Sequence, residues 1–183
     1  MKIFNRKIKG ESFVAVAAII VSACALGVSF YEVDIMRDQQ KNSVWPHVEM
    51  GQQYNNEGFA IEASNKGIGP AIVKSLKVKA GEKTVNTLDE LLDEMLGEGH
   101  GIGWDNYLVH NINGGVLEAG YNMPMVRFKW SEKTRELQKK LSKVKLELIY
   151  QSIYGDCWKV DFEGIPESCD CPTDKIEAEQ FNF

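Results

Sequence analysis

The sequence lacks most of the signatures from which catalysis is read. It has no G-x-S-x-G element and no H-E-x-x-H pair, and no cysteine stands in a recognisable histidine context. A glycine-dense run does occur, Gly97-Glu98-Gly99-His100-Gly101-Ile102-Gly103. It has neither the Lys-Ser/Thr ending nor the following helix that would aim backbone amides at a phosphate, so it reads as a loop. Gly67 and Gly69 fail the dinucleotide fingerprint because no helix follows them. Histidine is scarce, with His47, His100 and His110 the full set of three. With Cys157, Cys169 and Cys171 they form a conceivable metal set. Cys169-Asp170-Cys171 is too short for the usual C-x2-C knuckle, however, and a disulfide is favoured in the same cysteines. The acidic residues Asp89, Glu90, Asp93, Glu94 and Glu98 lack EF-hand spacing and read as a solvated helix face. No catalytic residue, cofactor or metal site is expected.

Positive charge is short over most of the chain. Lys2, Arg6, Lys7 and Lys9 crowd the first twelve residues against Glu11 alone, which leaves 17 basic and 25 acidic residues for the rest. An acidic domain is a poor ligand for nucleic acid, and no nucleic-acid partner is expected. There is no repeat and no low-complexity tract, so a solenoid and a disordered chain are both excluded.

One long apolar run stands against these absences. Phe13 to Tyr31 holds no charged residue. As a helix rising about 1.5 Å per residue it reaches roughly 28 Å, the thickness of a bilayer's hydrocarbon. The expected partner of residues 13–31 is therefore the membrane. With the basic excess before the run, residues 1–12 stay in the cytoplasm as a basic tail and the remainder is exported. Two cleavable readings compete: Val21-Ser22-Ala23-Cys24 has the form of a lipoprotein processing site, and Ala23-Cys24-Ala25 that of a signal-peptidase site. In either case the apolar region should stop near the cut, yet it continues through Phe30 and Tyr31. An uncleaved single-pass anchor in a bacterial cytoplasmic membrane is the favoured reading, with the lipoprotein as alternative. Each reading sends the bulk of the chain to the periplasm or outside.

Cysteine is sparse but concentrated. Cys24 lies in the anchor, and Cys157, Cys169 and Cys171 lie late. On the exported side Cys157 can pair with Cys169 or with Cys171. Cys169 and Cys171 are too close to pair with each other, so one thiol is left over.

After the anchor, residues 32–44 contain no glycine or proline and suit a helical stalk that Pro46 ends. The pattern then turns to alternation. Strands are expected at 48–50, 58–63, 71–79, 107–112, 116–118, 123–130, 146–154 and 157–162, with turns at Asn65-Lys66-Gly67, Gly81-Glu82-Lys83, Asn113-Gly114-Gly115 and Gly155-Asp156. Two short helices interrupt them. Leu88, Leu91, Leu92, Met95 and Leu96 share one face between a Thr87 cap and a Gly97 stop, and Ser131 caps a helix with Leu137, Leu141 and Val144 on one face. The tail from Pro166 to 183 reads as irregular and acidic. The fold class is mainly β, an antiparallel sandwich over 45–165 of about seven strands with two helical insertions.

Several stretches together resemble a known group. They are Tyr31-Glu32, Arg37, Ser43 to Val48, Asn65-Lys66-Gly67-Ile68-Gly69-Pro70-Ala71-Ile72, and Ile149 to Trp158. The chain is similar to small uncharacterised bacterial membrane proteins with one N-terminal anchor, an immunoglobulin-like domain outside the membrane, and an N-x-G-x-G-P-A element. The resemblance implies fold and topology and carries no activity. The glycines also have a local explanation: Gly67 and Gly69 permit a tight turn, and Pro70 starts the next strand without donating to the ladder.

The aromatic residues read first as core and hairpin packing. If two or more are exposed together they mark a contact patch, for which Trp45, Trp104, Trp158 and Tyr154 are the candidates. The favoured function is a membrane-anchored domain for protein–protein contact, as an accessory subunit. The alternative is a small-ligand sensor, with the glycine loop and the leucine helix as a lid. A hydrolytic enzyme stands third and needs a nucleophile–base contact that the sequence does not display.

Overall fold

A computed structural model describes residues 10–162, 164–172 and 180–182. Most of the basic tail and the acidic stretch 173–179 lie outside them. The chain divides into two units, Met1–Asn42 and Ser43–Phe183.

The first unit is one α-helix. α1 runs uninterrupted over Gly10–Ser43, so the apolar run and the stalk are a single element. None of its residues is buried, and it is long and apolar enough to cross a membrane. Ser22, one of the hydroxyls in its apolar run, donates to the Ala18 carbonyl at 2.8 Å. That bond satisfies a group that hydrocarbon could not.

In the second unit, ten strands are present among the described residues: β1 (Val48–Tyr54), β2 (Gly58–Asn65), β3 (Ala71–Ala80), β4 (Lys83–Val85), β5 (Tyr107–Val109), β6 (Val116–Leu117), β7 (Asn122–Lys129), β8 (Val144–Gln151), β9 (Cys157–Asp161) and β10 (Glu167–Cys169). They form two antiparallel sheets, in the orders β1-β2-β7-β5 and β10-β9-β8-β3-β4, with β6 also pairing β3. Alternation decides which face is buried. In β8, Val144, Leu146, Leu148 and Tyr150 are buried between outward Lys145, Glu147, Ile149 and Gln151. Phe59, Ile61 and Phe128 of the first sheet and Leu76, Leu148 and Val160 of the second join one apolar cluster. Tyr150 ties the sheets together by a polar contact too, since its hydroxyl accepts from the Val48 amide at 3.2 Å.

Two helices close the core. α2 (Leu88–Leu96) buries Leu88, Leu91, Leu92 and Met95, and the Thr87 side chain accepts from the Glu90 amide. α3 (Glu132–Lys140) starts with a reciprocal capping box between Ser131 and Thr134. The expected third helical contact, Val144, belongs elsewhere. A 3-10 turn at Leu141–Lys143 ends the helix, and Val144 opens β8.

The tail differs from its expected irregularity. β10 lies inside it and extends the second sheet past residue 165. Further on, Phe181 is buried in the core and its amide donates to the Leu76 carbonyl at 2.8 Å. Asn113 fixes the same contact, accepting from the Leu76 amide at 3.2 Å and donating to the Phe181 carbonyl at 2.5 Å. Asn182 forms a parallel bridge to Thr87.

Candidate functional site

The best-organised polar feature of the domain is the side chain of Asn65, at the end of β2 and fully buried. Its oxygen accepts from the amides of His47 (3.2 Å) and Gly67 (3.0 Å). Its nitrogen donates to the carbonyls of Gly69 (2.8 Å) and Leu117 (3.0 Å). Its backbone bonds to Tyr121 and Gly120. The side chain thus joins the segment after α1, the Gly67–Gly69 loop and β6, with both donors and the acceptor used, and the Asn65 backbone adds the β6–β7 connection.

The two glycines serve this assembly by closeness. A Cβ on Gly67 would lie 2.4 Å from the His47 nitrogen, and one on Gly69 would lie 1.7 Å from the Val44 oxygen. Neither is among the glycines with positive φ. The expected tight-turn reason is therefore replaced by backbone-to-backbone packing, which a side chain would block. Sequence reasoning saw the motif and missed the asparagine that organises it. An asparagine just ahead of two spaced glycines was the available signal.

Around this hub large apolar side chains stay exposed. Trp45 is 43% exposed and Ile68 68%, and the amide of Ile68 donates to the carbonyl of Trp45. The Trp45 ring lies 5.0 Å from that of His47, whose Nε2 is 3.3 Å from Glu49. Tyr121 is exposed next to Asn65 in the hydrogen-bond network. The β8–β9 turn, with exposed Ile153 and Tyr154, comes to the same end, because Gln151 pairs with Ile72 at the start of β3.

The four candidate contact residues therefore separate. Trp45 and Tyr154 share the Asn65 end. Trp104 is 79% exposed beside Tyr107 of the edge strand β5, with rings 5.5 Å apart. Trp158 packs half-buried against the core, its ring 5.7 Å from that of Tyr150.

Two other features carry chemistry. A cleft of about 800 Å³ runs past Gln52, Lys77, Lys79, Thr84 and Lys139, with Leu141 and Leu146 on its apolar side; its lining contains no histidine and no cysteine. The glycine-dense run and α2 are not part of that lining. Among the cysteines, Cys157 is bridged to Cys171 with Cα atoms 5.3 Å apart, while Cys24 and Cys169 are free thiols. Burial holds the Cys169 thiol above its ordinary range; nearby Lys159 opposes the shift, and Asp170 and Glu147 add to it. Among the described residues, no three His, Cys, Asp or Glu side chains gather as a metal site.

No family model matches the chain, and neither a curated protein nor a solved structure matches it significantly.

Proposed function

We propose that this protein is a single-pass protein of a bacterial cytoplasmic membrane, with residues 1–12 in the cytoplasm and an immunoglobulin-like sandwich on the exported side. The domain acts as an accessory subunit that binds another protein. The reading takes up the resemblance described above, and one observation carries it. Trp45, Ile68, Tyr121 and Tyr154 are exposed at one end of a domain whose backbone there is fixed by the buried Asn65. Large apolar and aromatic side chains on a rigid support lose little entropy on binding and anchor most protein interfaces.

The test is affinity capture of the full-length protein from detergent, followed by comparison of variants. Trp45→Ala combined with Tyr154→Ala should reduce the co-purified partner at least tenfold, corresponding to about 1.4 kcal/mol or more. Trp104→Ala should leave it unchanged. Equal capture by all three proteins rejects the assignment of this surface.

The 800 Å³ cleft supports a second reading, a small-ligand domain, since its size suits a ligand and four lysines, against the two carboxylates Glu147 and Asp161, line it beside apolar surface. Saturable thermal stabilisation by a small anionic compound, abolished by Lys79→Ala with Lys139→Ala, would favour it.

A further inference from the structure

We propose that Cys157, Cys169 and Cys171 form a thiol–disulfide exchange site, in which Cys169 displaces Cys171 from Cys157. The inference rests on the three sulfurs and does not depend on the identity of any binding partner.

The register supplies the geometry. Cys169 of β10 stands directly opposite Cys157 of β9. Opposed residues of antiparallel strands point to the same face with Cα atoms about 4.5–5.5 Å apart. A disulfide spans Cα separations of about 4.4–6.8 Å. The existing Cys157–Cys171 bridge spans 5.3 Å. Both cysteines thus meet the backbone requirement toward the same sulfur, while a single residue separates them and keeps them from bridging each other. Cys169 holds a free thiol beside a bond it can enter.

The leaving side is prepared as well. On the other flank of Cys157 the register places Gln151 of β8. Its amide nitrogen lies 3.5 Å from Cys171 Sγ, where it can donate to the departing sulfur, and the Gly155 carbonyl oxygen lies 3.2 Å from that sulfur, where it can accept from the thiol formed on protonation. A leaving thiolate stabilised in this way departs faster.

The step balances without an oxidant or a reductant. Cys169 loses its proton to solvent, and the thiolate attacks Cys157 Sγ. The Cys157–Cys171 bond breaks, and its electron pair leaves on Cys171 Sγ, which takes up a proton. One disulfide is consumed and one is formed. The covalent tie moves from the segment after β10 into the β9–β10 ladder. The raised Cys169 thiol keeps the reaction slow until a base or a catalytic thiol assists.

The test uses the full-length protein in detergent, equilibrated with a catalytic amount of reduced glutathione, quenched with acid, alkylated and mapped by fragmentation mass spectrometry. The Cys157–Cys169 and Cys157–Cys171 bridges should both be recovered. Recovery of Cys157–Cys171 alone, with Cys169 alkylated in every molecule, overturns the proposal. So does consumption of Cys169 solely in dimers between chains. As a second arm, Cys171→Ser treated with oxidised glutathione, which takes up the two electrons, should give a monomer bridged through Cys169, while Cys169→Ser keeps the original bridge. A Cys171→Ser protein that retains its circular dichroism and leaves both thiols reduced also overturns the proposal. The wild-type mapping decides the matter on its own if that variant fails to fold.

Discussion

Two buried side chains fix how the domain's segments meet. Removing the Asn65 amide would strand the amides of His47 and Gly67 and the carbonyls of Gly69 and Leu117. Each buried group left unpaired costs about 1–3 kcal/mol, so Asn65→Ala should lose about 3 kcal/mol or more in urea denaturation. A loss below about 0.5 kcal/mol would show that water replaces the side chain at no cost. Tyr150 gives a pH signature. Burial raises its phenol above the ordinary 10.0, with the Val48 amide opposing the shift. The folded state therefore favours the protonated form. That contribution to stability is complete below the unfolded value, and it is lost as pH climbs through the raised folded value. Tyr150→Phe should cost about 1 kcal/mol at neutral pH through the unpaired Val48 amide. The difference in melting temperature between wild type and variant should shrink above pH 10. A difference that stays constant across that range would remove Tyr150 as the source.

At the scale of elements, legibility followed the locality of the signal. α2 was read with its true bounds because four leucines, a methionine, a threonine cap and a glycine stop all lie within one short stretch. β3 was legible because lysines mark its outer face. Val144 was misassigned because seven residues after Leu137 is a helical spacing, and nothing in the sequence marks the 3-10 turn that intervenes. The late cysteines were legible as a disulfide, but the choice between Cys169 and Cys171 depended on a strand of three residues that no periodicity reveals. Asn65 was visible as part of a turn, yet its partners come from segments up to Leu117. Phe181 was not legible at all, because its neighbours Leu76 and Asn113 are remote in sequence. It makes a sharp test. Phe181→Ala opens the core beneath α2 and should cost about 3–5 kcal/mol. A cost near that of an exposed phenylalanine would mean that the terminal segment does not seat there in solution.

Over the whole molecule, the membrane reading rests on α1 and the charge beside it. If the basic tail is cytoplasmic, a protease added to intact spheroplasts should digest the second unit and leave a cysteine reporter at residue 5 unlabelled by an impermeant maleimide. The reverse pattern would invert the topology. Composition changes abruptly after the apolar run; in the structure α1 buries none of its residues, and the chain divides after Asn42. The presence of antiparallel sheets was legible from alternation. Their strand order was not, because β4 and β10, of three residues each, leave no pattern and the long pairings join distant segments.

The strand order also has a kinetic consequence. β3 has β4 as its neighbour in sequence, but along most of its other edge it pairs with β8, down to Ile72 against Gln151. The first sheet likewise waits for β7 to reach β2, placing Phe59 against Phe128. Pairings this distant close large loops before any contact rewards them, and folding on the scale of milliseconds to seconds follows. If the second unit is exported as proposed, threading from its anchored end delivers β3 long before β8. Through that interval Val73, Leu76 and Val78 lie on an incomplete sheet, and this is the stretch that an export chaperone has most reason to cover.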